Sequence, residues 1–378
     1  MSEILVVGAG LSGAVYARSL AEAGLAVRVI DKRSHIGGNC HDHIDPETGV
    51  RCHTYGPHLF HTSNMRVVDW LSRFTGWLPY EHRVVARLED RRLVPMPVNA
   101  DTIATLYDRA FAGPEEVEAF LSEISESRAE VKTAEDHLIS IIGPQLTDLF
   151  FRRYTAKMWD MDLSQMGAEV VRRLKIRTDR ENRYFPGDSF QALPDKGYTA
   201  MFEAMLDHPK IKVELETTFE HRMLEQFDHC FNAMPIDVFF AESLGPLPYR
   251  SIRFHTSRHP LVEAPRHVTI NYTDESAYTR ETWWHNLPGH APDGQTQVLR
   301  TVEEPCDYRD NNLERYYPVK TADKRFDTVY KAYALMASSL GNITFIGRCG
   351  TYQYLDMHQV VNQSLMGVQA WLDRAAAA

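Results

Sequence analysis

Three common features are scarce in this 378-residue sequence: long apolar runs, paired cysteines and an excess of positive charge. A membrane-spanning helix needs about 18 consecutive apolar residues, whereas the first apolar run, residues 4–7, ends at a glycine. The sequence therefore predicts no signal peptide and no membrane insertion, and we expect a cytoplasmic protein. The net charge of −10 disfavours nucleic acids and anionic membranes as partners.

The cysteines exclude two further classes of protein. There are five, an odd number, and none forms a CxxC pair, so neither a disulfide framework nor a structural zinc site is expected. Conventional catalytic patterns are also missing, since there is no HExxH motif, no ordered Ser–His–Asp set and no pair of acid/base carboxylates. These absences argue against a hydrolase, but they are expected where a bound cofactor carries out the chemistry.

The amino-terminal residues follow the order of a dinucleotide-binding βαβ unit. Residues 4–7 have the composition of a buried parallel strand, and GAGLSG at residues 8–13 fits GxGxxG. Residues 14–22 then predict a helix, and residues 27–30 predict a second strand that ends at Asp31. A lone GxGxxG is a weak signal, but this succession indicates dinucleotide binding.

Each residue of this pattern has a physical role. Gly8 permits a tight turn, Gly10 lets the backbone approach a pyrophosphate, and Gly13 lets the helix pack closely against the strand. The helix N-terminus offers free N–H groups and the positive end of its dipole to the phosphates. Asp31 can accept hydrogen bonds from the adenosine ribose hydroxyls. A basic pair and a Gly-Gly turn follow at residues 32–38. Alone, this turn could be any tight turn, but together with the far carboxy-terminal segment it favours FAD over NAD.

Three histidines, His53, His58 and His61, crowd around the helix-breaking pair Gly56-Pro57. Imidazoles at this density can bind zinc, but no cysteine pair or carboxylate stands at ligand spacing. A loop that lies against a cofactor is the favoured interpretation, because loops on a rigid scaffold often carry function.

The next part of the chain has a helical pattern over residues 101–150. Asp101 is expected to cap the first helix and Pro114 to begin the second. A third helix is predicted over residues 134–142 and should stop at Gly143.

The remainder of the chain alternates as strands do. Residues 210–240 predict a strand, a turn and a strand, and residues 250–303 predict antiparallel strands. A helix at 322–340 and a buried strand at 343–346 then return the chain to the amino-terminal sheet. The fold class expected is α/β, a Rossmann-like domain with an inserted helical domain and an antiparallel sheet domain.

Several segments together resemble the flavin-dependent UDP-galactopyranose mutase family, and they run in that family's order over the whole chain. They are GAGLSG (8–13), IGGN (36–39), YGPHLFHT (55–62), YTAKMW (154–159), RRL (172–174), NRYFPGDSFQALPDKGYTAMF (182–202), NY (271–272), AYTR (277–280), YYPV (316–319) and GRCGTYQYLDM (347–357).

The resemblance implies three domains with the active site in the cleft between them. The FAD-binding Rossmann-like domain would comprise residues 1–76, 205–245 and 318–378, and the helical domain with a mobile lid residues 99–180. A twisted antiparallel sheet domain would comprise residues 77–98, 181–204 and 246–317.

The resemblance also implies the reaction. Reduced FAD would use N5 as the nucleophile at the anomeric carbon, displace UDP, and so interconvert UDP-galactopyranose and UDP-galactofuranose reversibly. NAD(P)H or another reductant would activate the flavin, and a homo-oligomer is expected.

Matched positions carry the family's catalytic roles. Arg173 and Arg280 match two arginines that clamp the diphosphate, where a guanidinium fork stabilises the charge that develops on the leaving group. Arg172 is adjacent to Arg173 and is an alternative, and either could be a solvated helix charge. His61 matches a histidine on a loop beside the flavin ring, unless it is a hydrogen-bonded core histidine.

The remaining matched positions concern binding. The substrate residues implied are Tyr154, which would stack on uracil, Trp159 on the lid, the tyrosines Tyr184, Tyr317 and Tyr354, and Asn271 near the sugar. The cofactor residues expected are Gly8, Gly10, Ser12, Gly13, Asp31, Lys32, Gly38, Asn39, His58, Arg348 and Asp356. Asp356 could equally cap a helix.

The sequence departs from the family at residues 281–286 and 303–315, which we expect near the sugar and flavin, and at Cys349. The sugar is therefore open, and a mutase of another UDP-hexose such as UDP-N-acetylgalactosamine is an alternative. An FAD-dependent amine or amino-acid oxidase shares the Rossmann start, but paired arginines with a tyrosine cluster favour a nucleoside diphosphate.

Overall fold

A computed structural model describes residues 3–171, 176–321 and 323–377. Its strands are β1 (Glu3–Val7), β2 (Ala26–Ile30), β3 (Asp42–Ile44), β4 (Arg51–His53), β5 (Phe60–Thr62), β6 (Trp77–Pro79), β7 (Val84–Arg87), β8 (Leu93–Met96), β9 (Phe190–Pro194), β10 (Ile211–Glu214), β11 (His229–Asn232), β12 (Tyr249–Pro260), β13 (Thr269–Tyr272), β14 (Arg280–Trp283), β15 (Gln297–Asp307), β16 (Tyr317–Pro318) and β17 (Ile343–Phe345). Its helices are α1 (Leu11–Glu22), α2 (Met65–Leu71), α3 (Ala100–Tyr107), α4 (Pro114–Ile124), α5 (Ala134–Thr147), α6 (Arg153–Trp159), α7 (Tyr198–Leu206), α8 (Ile236–Phe239), α9 (Arg325–Ser338), α10 (Gly347–Gly350) and α11 (Met357–Ala377).

A parallel sheet is built from both ends and the middle of the chain, in the order β10–β2–β1–β11–β17. Ile4 and Val6 face α1, α7 and α11, whereas Leu5 and Val7 face a second apolar layer on the other side. A strand buried on both faces must be apolar throughout, which explains the unbroken run at residues 4–7. The edge strands of this sheet are β10 and β17, and they confirm the strands predicted within residues 210–240 and at residues 343–346.

A second, largely antiparallel sheet has the order β16–β12–β15–β14–β13–β7–β8. Its centre is the long pair of β12 and β15, and only the β13–β7 pair is parallel. The prediction of antiparallel strands over residues 250–303 is confirmed. The strands β5, β9 and β6 form a small third sheet, and β3 pairs with β4.

The helices α3 to α6 surround their own apolar cluster, which includes Phe150 and Phe151. The expected cap at Asp101 is wrong, because the Asn99 side chain accepts the Thr102 N–H at 3.0 Å and begins α3 two residues earlier. Gly143 interrupts α5 with φ 75°, as expected, but helical structure resumes at once up to Thr147.

A π-helical turn, Asp148–Arg152, joins α5 to α6. Within the described part of the chain, none of the helices has the length and apolar character needed to cross a bilayer. The domain boundaries given above stay a prediction.

Candidate functional site

At the carboxyl edge of the parallel sheet, three backbone segments approach so closely that side chains would not fit. A Cβ atom on Gly13 would lie 1.9 Å from the Gly8 carbonyl oxygen, and one on Gly38 would lie 2.8 Å from the Gly10 Cα. Gly347 has φ 68°, and a Cβ there would lie 3.2 Å from the Ser12 Cβ. The turn after β1, the 36–39 turn and the start of α10 therefore form one backbone cradle.

Asp31 lies at the end of β2 and holds this cradle in place. Its Oδ2 accepts the Ala9 N–H at 2.8 Å, and its Oδ1 accepts the Arg33 N–H at 2.9 Å. The carboxylate thus fixes the turn after β1 and the start of the basic pair together. Ser12 is buried, and its hydroxyl lies 2.9 Å from the Ser364 hydroxyl of α11.

The basic pair reaches a distant acidic residue, Glu314. Arg33 and Lys32 both contact the Glu314 carboxylate, and the Lys32 Nζ lies 3.6 Å from it. Arg33 also donates to the Asn39 Oδ1 at 3.0 Å and covers the Tyr55 ring at 4.4 Å. Burial alone would lower the pKa of Arg33, but the Glu314 carboxylate together with Tyr55 and Tyr316 raises that pKa.

These residues fit a dinucleotide cofactor. The glycine cradle leaves room for a pyrophosphate at the start of α1, where backbone N–H groups and the helix dipole favour negative charge. The Arg348 Nε is buried and lacks a hydrogen-bond partner within the described residues, so this side chain can serve a further ligand. Asp356 directly precedes α11, and its N–H donates to the Gln359 Oε1 at 2.9 Å.

The antiparallel sheet presents a row of polar side chains on one face. Asn271 pairs with Arg280 across β13 and β14, and Arg280 pairs with Glu303 across β14 and β15. Directly opposed residues of antiparallel strands share a face. The Arg280 Nε lies 2.7 Å from the Glu303 Oε2 as an ion pair without hydrogen-bond alignment, and the Glu303 Oε1 is buried without a hydrogen-bond partner among the residues described.

Arg280 is the cation of this row. Burial works to lower the pKa of its guanidinium, but the Glu303 carboxylate together with Tyr154 and Tyr317 holds that pKa well above its usual value. Both effects act on the charged form, and the net result keeps the group a permanent positive charge.

An aromatic cluster stands beside Arg280. Tyr317 and Tyr354 stack with ring centroids 5.5 Å apart, and the Trp159 ring lies 6.3 Å from Tyr317. Arg348 covers both tyrosines, at 5.4 and 5.2 Å. Burial and Tyr354 raise the pKa of Tyr317 to about 12 against a smaller opposing effect of Arg280, so its hydroxyl is a proton donor at neutral pH.

Tyr154 lies on α6 near the same arginine. Burial raises the pKa of Tyr154, while Arg280 opposes that effect. The structure therefore brings Tyr154, Trp159, Asn271, Arg280, Tyr317 and Arg348 together, whereas Arg173 lies outside the described residues and keeps its predicted role only as a prediction.

The predicted histidines occupy two different places. His58 has Arg348 and Arg280 as its neighbouring cations, and burial lowers its pKa to about 4. His61 lies in β5, not in a loop as expected, and its Nδ1 is 2.6 Å from the Asp188 Oδ2. Its ring stacks on Phe185 with centroids 3.5 Å apart. Of the two, His58 is the one that faces the arginines.

The sequence interpretation missed two residues of this site, His82 and Glu303. Burial, Arg280 and His61 lower the pKa of His82 to about 3, and its carbonyl accepts the Tyr184 N–H at 2.7 Å. No motif marks His82 in the sequence. Glu303 was visible only as the start of an unusual segment.

Three residues of the 281–286 segment do not face the arginine row, and the expectation that this segment borders the sugar stays a prediction. Glu281 faces away from Arg280, because successive residues of a strand alternate between faces. Trp284 is fully buried and donates its Nε1 proton to the Thr301 hydroxyl at 2.8 Å. The Asn286 amide donates to the Pro265 and His267 carbonyls. The side chains of Glu281, Trp284 and Asn286 therefore belong to the core and not to the arginine row.

Comparison with known sequences identifies the family. The sequence model of the UDP-galactopyranose mutase family matches residues 149–354, and that of an NAD(P)-binding Rossmann-like domain matches residues 6–74. A probable UDP-galactopyranose mutase from Klebsiella pneumoniae is 35% identical over 99% of this chain and 95% of its own length. The chain belongs to the UDP-galactopyranose mutase family.

Other members and structures agree. The UDP-galactopyranose mutase of Mycoplasma pneumoniae is 30% identical over 96% of this chain and 94% of its own, and a dTDP-fucopyranose mutase of Escherichia coli is 32% identical over 98% and 99%. A crystal structure of reduced UDP-galactopyranose mutase covers 100% of this chain and 95% of its own, with a TM-score of 0.73 at 17% identity, which shows the same fold.

Membership of the UDP-galactopyranose mutase family confirms three predictions. The chain is an enzyme of the isomerase class, its fold is α/β with a Rossmann-like domain, and its family and that domain imply a flavin.

Proposed function

We propose that this chain interconverts the pyranose and furanose forms of UDP-galactose with the help of FAD. The observation that carries the proposal is the buried Arg280–Glu303 ion pair beside a cluster of protonated tyrosines. Arg280 is a permanent cation, it forms an ion pair with one buried carboxylate, and tyrosine hydroxyls surround it as donors. Such a group of side chains suits the diphosphate of a nucleotide sugar.

FAD would be held by the backbone cradle, Asp31 and the basic residues around it. The residues proposed for it are Gly8, Gly10, Ser12, Gly13, Asp31, Lys32, Gly38, Asn39, His58, Arg348 and Asp356. When bound and reduced, the flavin supplies the nucleophile of the reaction, N5. The protein contributes binding, orientation and electrostatic stabilisation.

Arg280 and Arg173 would bind the two phosphates. The leaving diphosphate gains negative charge as the bond to the anomeric carbon breaks, so a fixed guanidinium stabilises the transition state more than the ground state. Glu303 would orient the Arg280 side chain, because its Oε2 lies 2.7 Å from the Arg280 Nε. This contact leaves the two terminal guanidinium nitrogens for the ligand.

The aromatic residues would bind the rest of the nucleotide. Tyr154 offers a planar surface for the base, and Tyr184, Tyr317 and Tyr354 offer hydroxyl donors to the diphosphate. Trp159, at the end of α6, would exclude water from the reacting sugar. Asn271, in the same row as Arg280, would contact the sugar.

A second nucleotide sugar, dTDP-fucopyranose, is favoured by one observation. The relative named dTDP-fucopyranose mutase is 32% identical over 98% of this chain, almost as similar as the probable UDP-galactopyranose mutase at 35%. The same cradle and arginine row would serve either substrate, since both are diphosphate esters.

The test is an anaerobic assay of the purified yellow protein with UDP-galactofuranose, with and without dithionite, in which chromatography separates the two ring forms. Appearance of UDP-galactopyranose only after reduction is the expected result. Conversion of dTDP-fucopyranose but not of the UDP-sugar would move the proposal to the second substrate. No conversion and no UDP binding would reject a mutase and favour an oxidase.

A further inference from the structure

Two buried histidines lie directly behind the Gly56–His58 loop. His53 and His290 are 2% and 3% exposed, and their Nε2 atoms lie 3.1 Å apart. The Trp284 ring packs on His53 with centroids 4.9 Å apart. His53 comes from β4, whereas His290 and Trp284 come from the segment after β14. The pair therefore joins two distant parts of the chain.

Hydrogen bonds determine which nitrogen of each ring carries the proton. The His58 N–H donates to the His53 Nδ1 at 3.0 Å, so that nitrogen is an acceptor and the proton of a neutral His53 is on Nε2. The His53 Nε2–H then donates to the His290 Nε2. The proton of His290 is consequently on Nδ1, which donates to the Pro288 carbonyl at 3.0 Å.

This chain of hydrogen bonds exists only while both rings are neutral, since an added proton would replace an acceptor by a donor. Burial lowers the pKa of His53 well below its usual value, with smaller effects of His290, His58, Arg51 and His43. Burial also lowers the pKa of His290, and the backbone carbonyl of Pro288 opposes this. The charged groups nearest to His290 are Arg51 and Asp42, which act in opposite directions.

The front of the same loop contacts the arginine row. A Cβ atom on Gly56 would lie 3.1 Å from the Glu303 Oε1 and 3.0 Å from the Phe254 ring. Glu303 in turn carries the ion pair to Arg280. The loop is therefore held from behind by the histidine pair and lies in front against Glu303.

We propose that His53 and His290 are positioning residues that hold the Gly56–His58 loop against the Glu303–Arg280 ion pair. This inference rests on the proposed function, because it assigns the two residues to the geometry of the nucleotide-sugar site. Neither residue is required to touch the substrate.

The first test does not depend on turnover. In protein labelled with ¹⁵N-histidine, we expect NMR spectra of His53 with the proton on Nε2 and of His290 with the proton on Nδ1. Both should keep these states from pH 7.5 down to the titration midpoint of the exposed histidines, since burial lowers both pKa values. Assignment uses the loss of single signals in His53→Gln and His290→Gln. The opposite tautomers, or titration of either ring in this range, would overturn the proposal.

The second test compares His290→Leu with His290→Gln. Leucine removes the acceptor for the His53 Nε2–H, and an unpaired buried donor should weaken UDP binding and raise KM by about tenfold. Glutamine supplies an oxygen acceptor and should bring both values back to within about threefold of wild type. The control is His285→Leu, because His285 lies in the same segment and its Nδ1 has no hydrogen-bond partner among the described residues.

The outcomes separate this inference from the proposed function. Equal UDP affinity in wild type, His290→Leu and His290→Gln would reject the positioning role even if the enzyme is fully active. If wild type converts no nucleotide sugar, calorimetric UDP affinities still compare the variants. If His290→Leu does not fold, the wild-type tautomers and the Gln variant decide.

Discussion

The cofactor edge of the parallel sheet and the polar face of the antiparallel sheet are built by opposite means. The first is made of backbone, and its closest approaches occur at glycines. A Cβ atom added to Gly13, for example, would lie 1.9 Å from the Gly8 carbonyl oxygen. The second is made of long side chains, with Arg280 and Glu303 on two paired strands and the tyrosines around them. One region should tolerate no added atoms, and the other no removed charge.

The sharpest test of this contrast is Gly13→Ala. The added methyl group must displace either α1 or the turn after β1, and we expect a loss of about 3 kcal/mol or more in the free energy of unfolding together with loss of bound flavin. Urea unfolding and the flavin absorbance of the purified protein measure both. The control is Gly341→Ala, because a Cβ there meets nothing within 4 Å. A stable, yellow Gly13→Ala protein would remove the distinction between the two regions.

Arg280→Ala should do the reverse, with turnover lowered by about 10²- to 10³-fold while the flavin stays bound. Arg280→Lys keeps the charge but loses the planar fork, and we expect an intermediate rate. Steady-state kinetics and the visible spectrum measure the two effects. Arg253→Ala is the matched control, since Arg253 lies on the same sheet and pairs with Glu304. Retained activity in Arg280→Ala would disprove the clamp.

Glu314 connects the two regions, and its effect should be smaller. Glu314→Gln removes the partner of Arg33 and Lys32 beside the proposed adenosine site, and we expect FAD affinity to fall by about three- to tenfold. Fluorescence titration of the apoprotein with FAD measures it. Glu304→Gln, with 25% exposure against 23% for Glu314, is the control. Equal affinities in the two variants would show that the basic pair holds the cofactor without help from Glu314.

Mild acid should produce the most gradual effect. The folded protein lowers the pKa of His82 to about 3 and that of His58 to about 4, so the unfolded chain binds protons first as the pH falls below 6.5. Stability contributed by these neutral rings is complete above pH 6.5 and declines below it by up to about 1.4 kcal/mol per histidine and pH unit. Urea unfolding at pH 7.5, 6.0 and 5.0 measures the slope, which His82→Gln should reduce. An unchanged slope in that variant would exclude His82 as a contributor.

The two regions also differ in how far the sequence predicts them. The cofactor edge depends on local order, since strand, glycines, helix and Asp31 follow one another within about thirty residues of a βαβ unit. Both strands are confirmed and end at Val7 and Ile30 as predicted, whereas α1 begins at Leu11 and not at residue 14. The sequence predicts the cap of α3 at Asp101, whereas the structure has it at Asn99. Both residue types cap helices, and propensity does not determine the first helical residue.

The arginine row could not be derived from local pattern. Arg280 and Glu303 come together only through the pairing of β14 with β15. His82 is distant from both in sequence, and only the folded chain buries it near Arg280 and His61. Family resemblance supplied Arg280, the tyrosines and both histidines, His58 and His61; His58 faces the arginines, and the flavin-side role of His61 stays a prediction. Residues 281–286 looked functional because they are unusual, yet Trp284 and Asn286 fill space and satisfy backbone groups.

The alternation of β14 has a consequence for how sequences of this kind can change. Arg280 and Glu281 are neighbours on opposite faces of one strand, and Glu281 is buried against Tyr272, whose hydroxyl donates to it at 2.6 Å. A slip of one residue in the pairing with β15 would exchange the two faces. The Glu281 carboxylate would then occupy the place where the proposed diphosphate site needs the positive charge of Arg280. A one-residue shift of β14 against β15 should therefore invert the charge of the site.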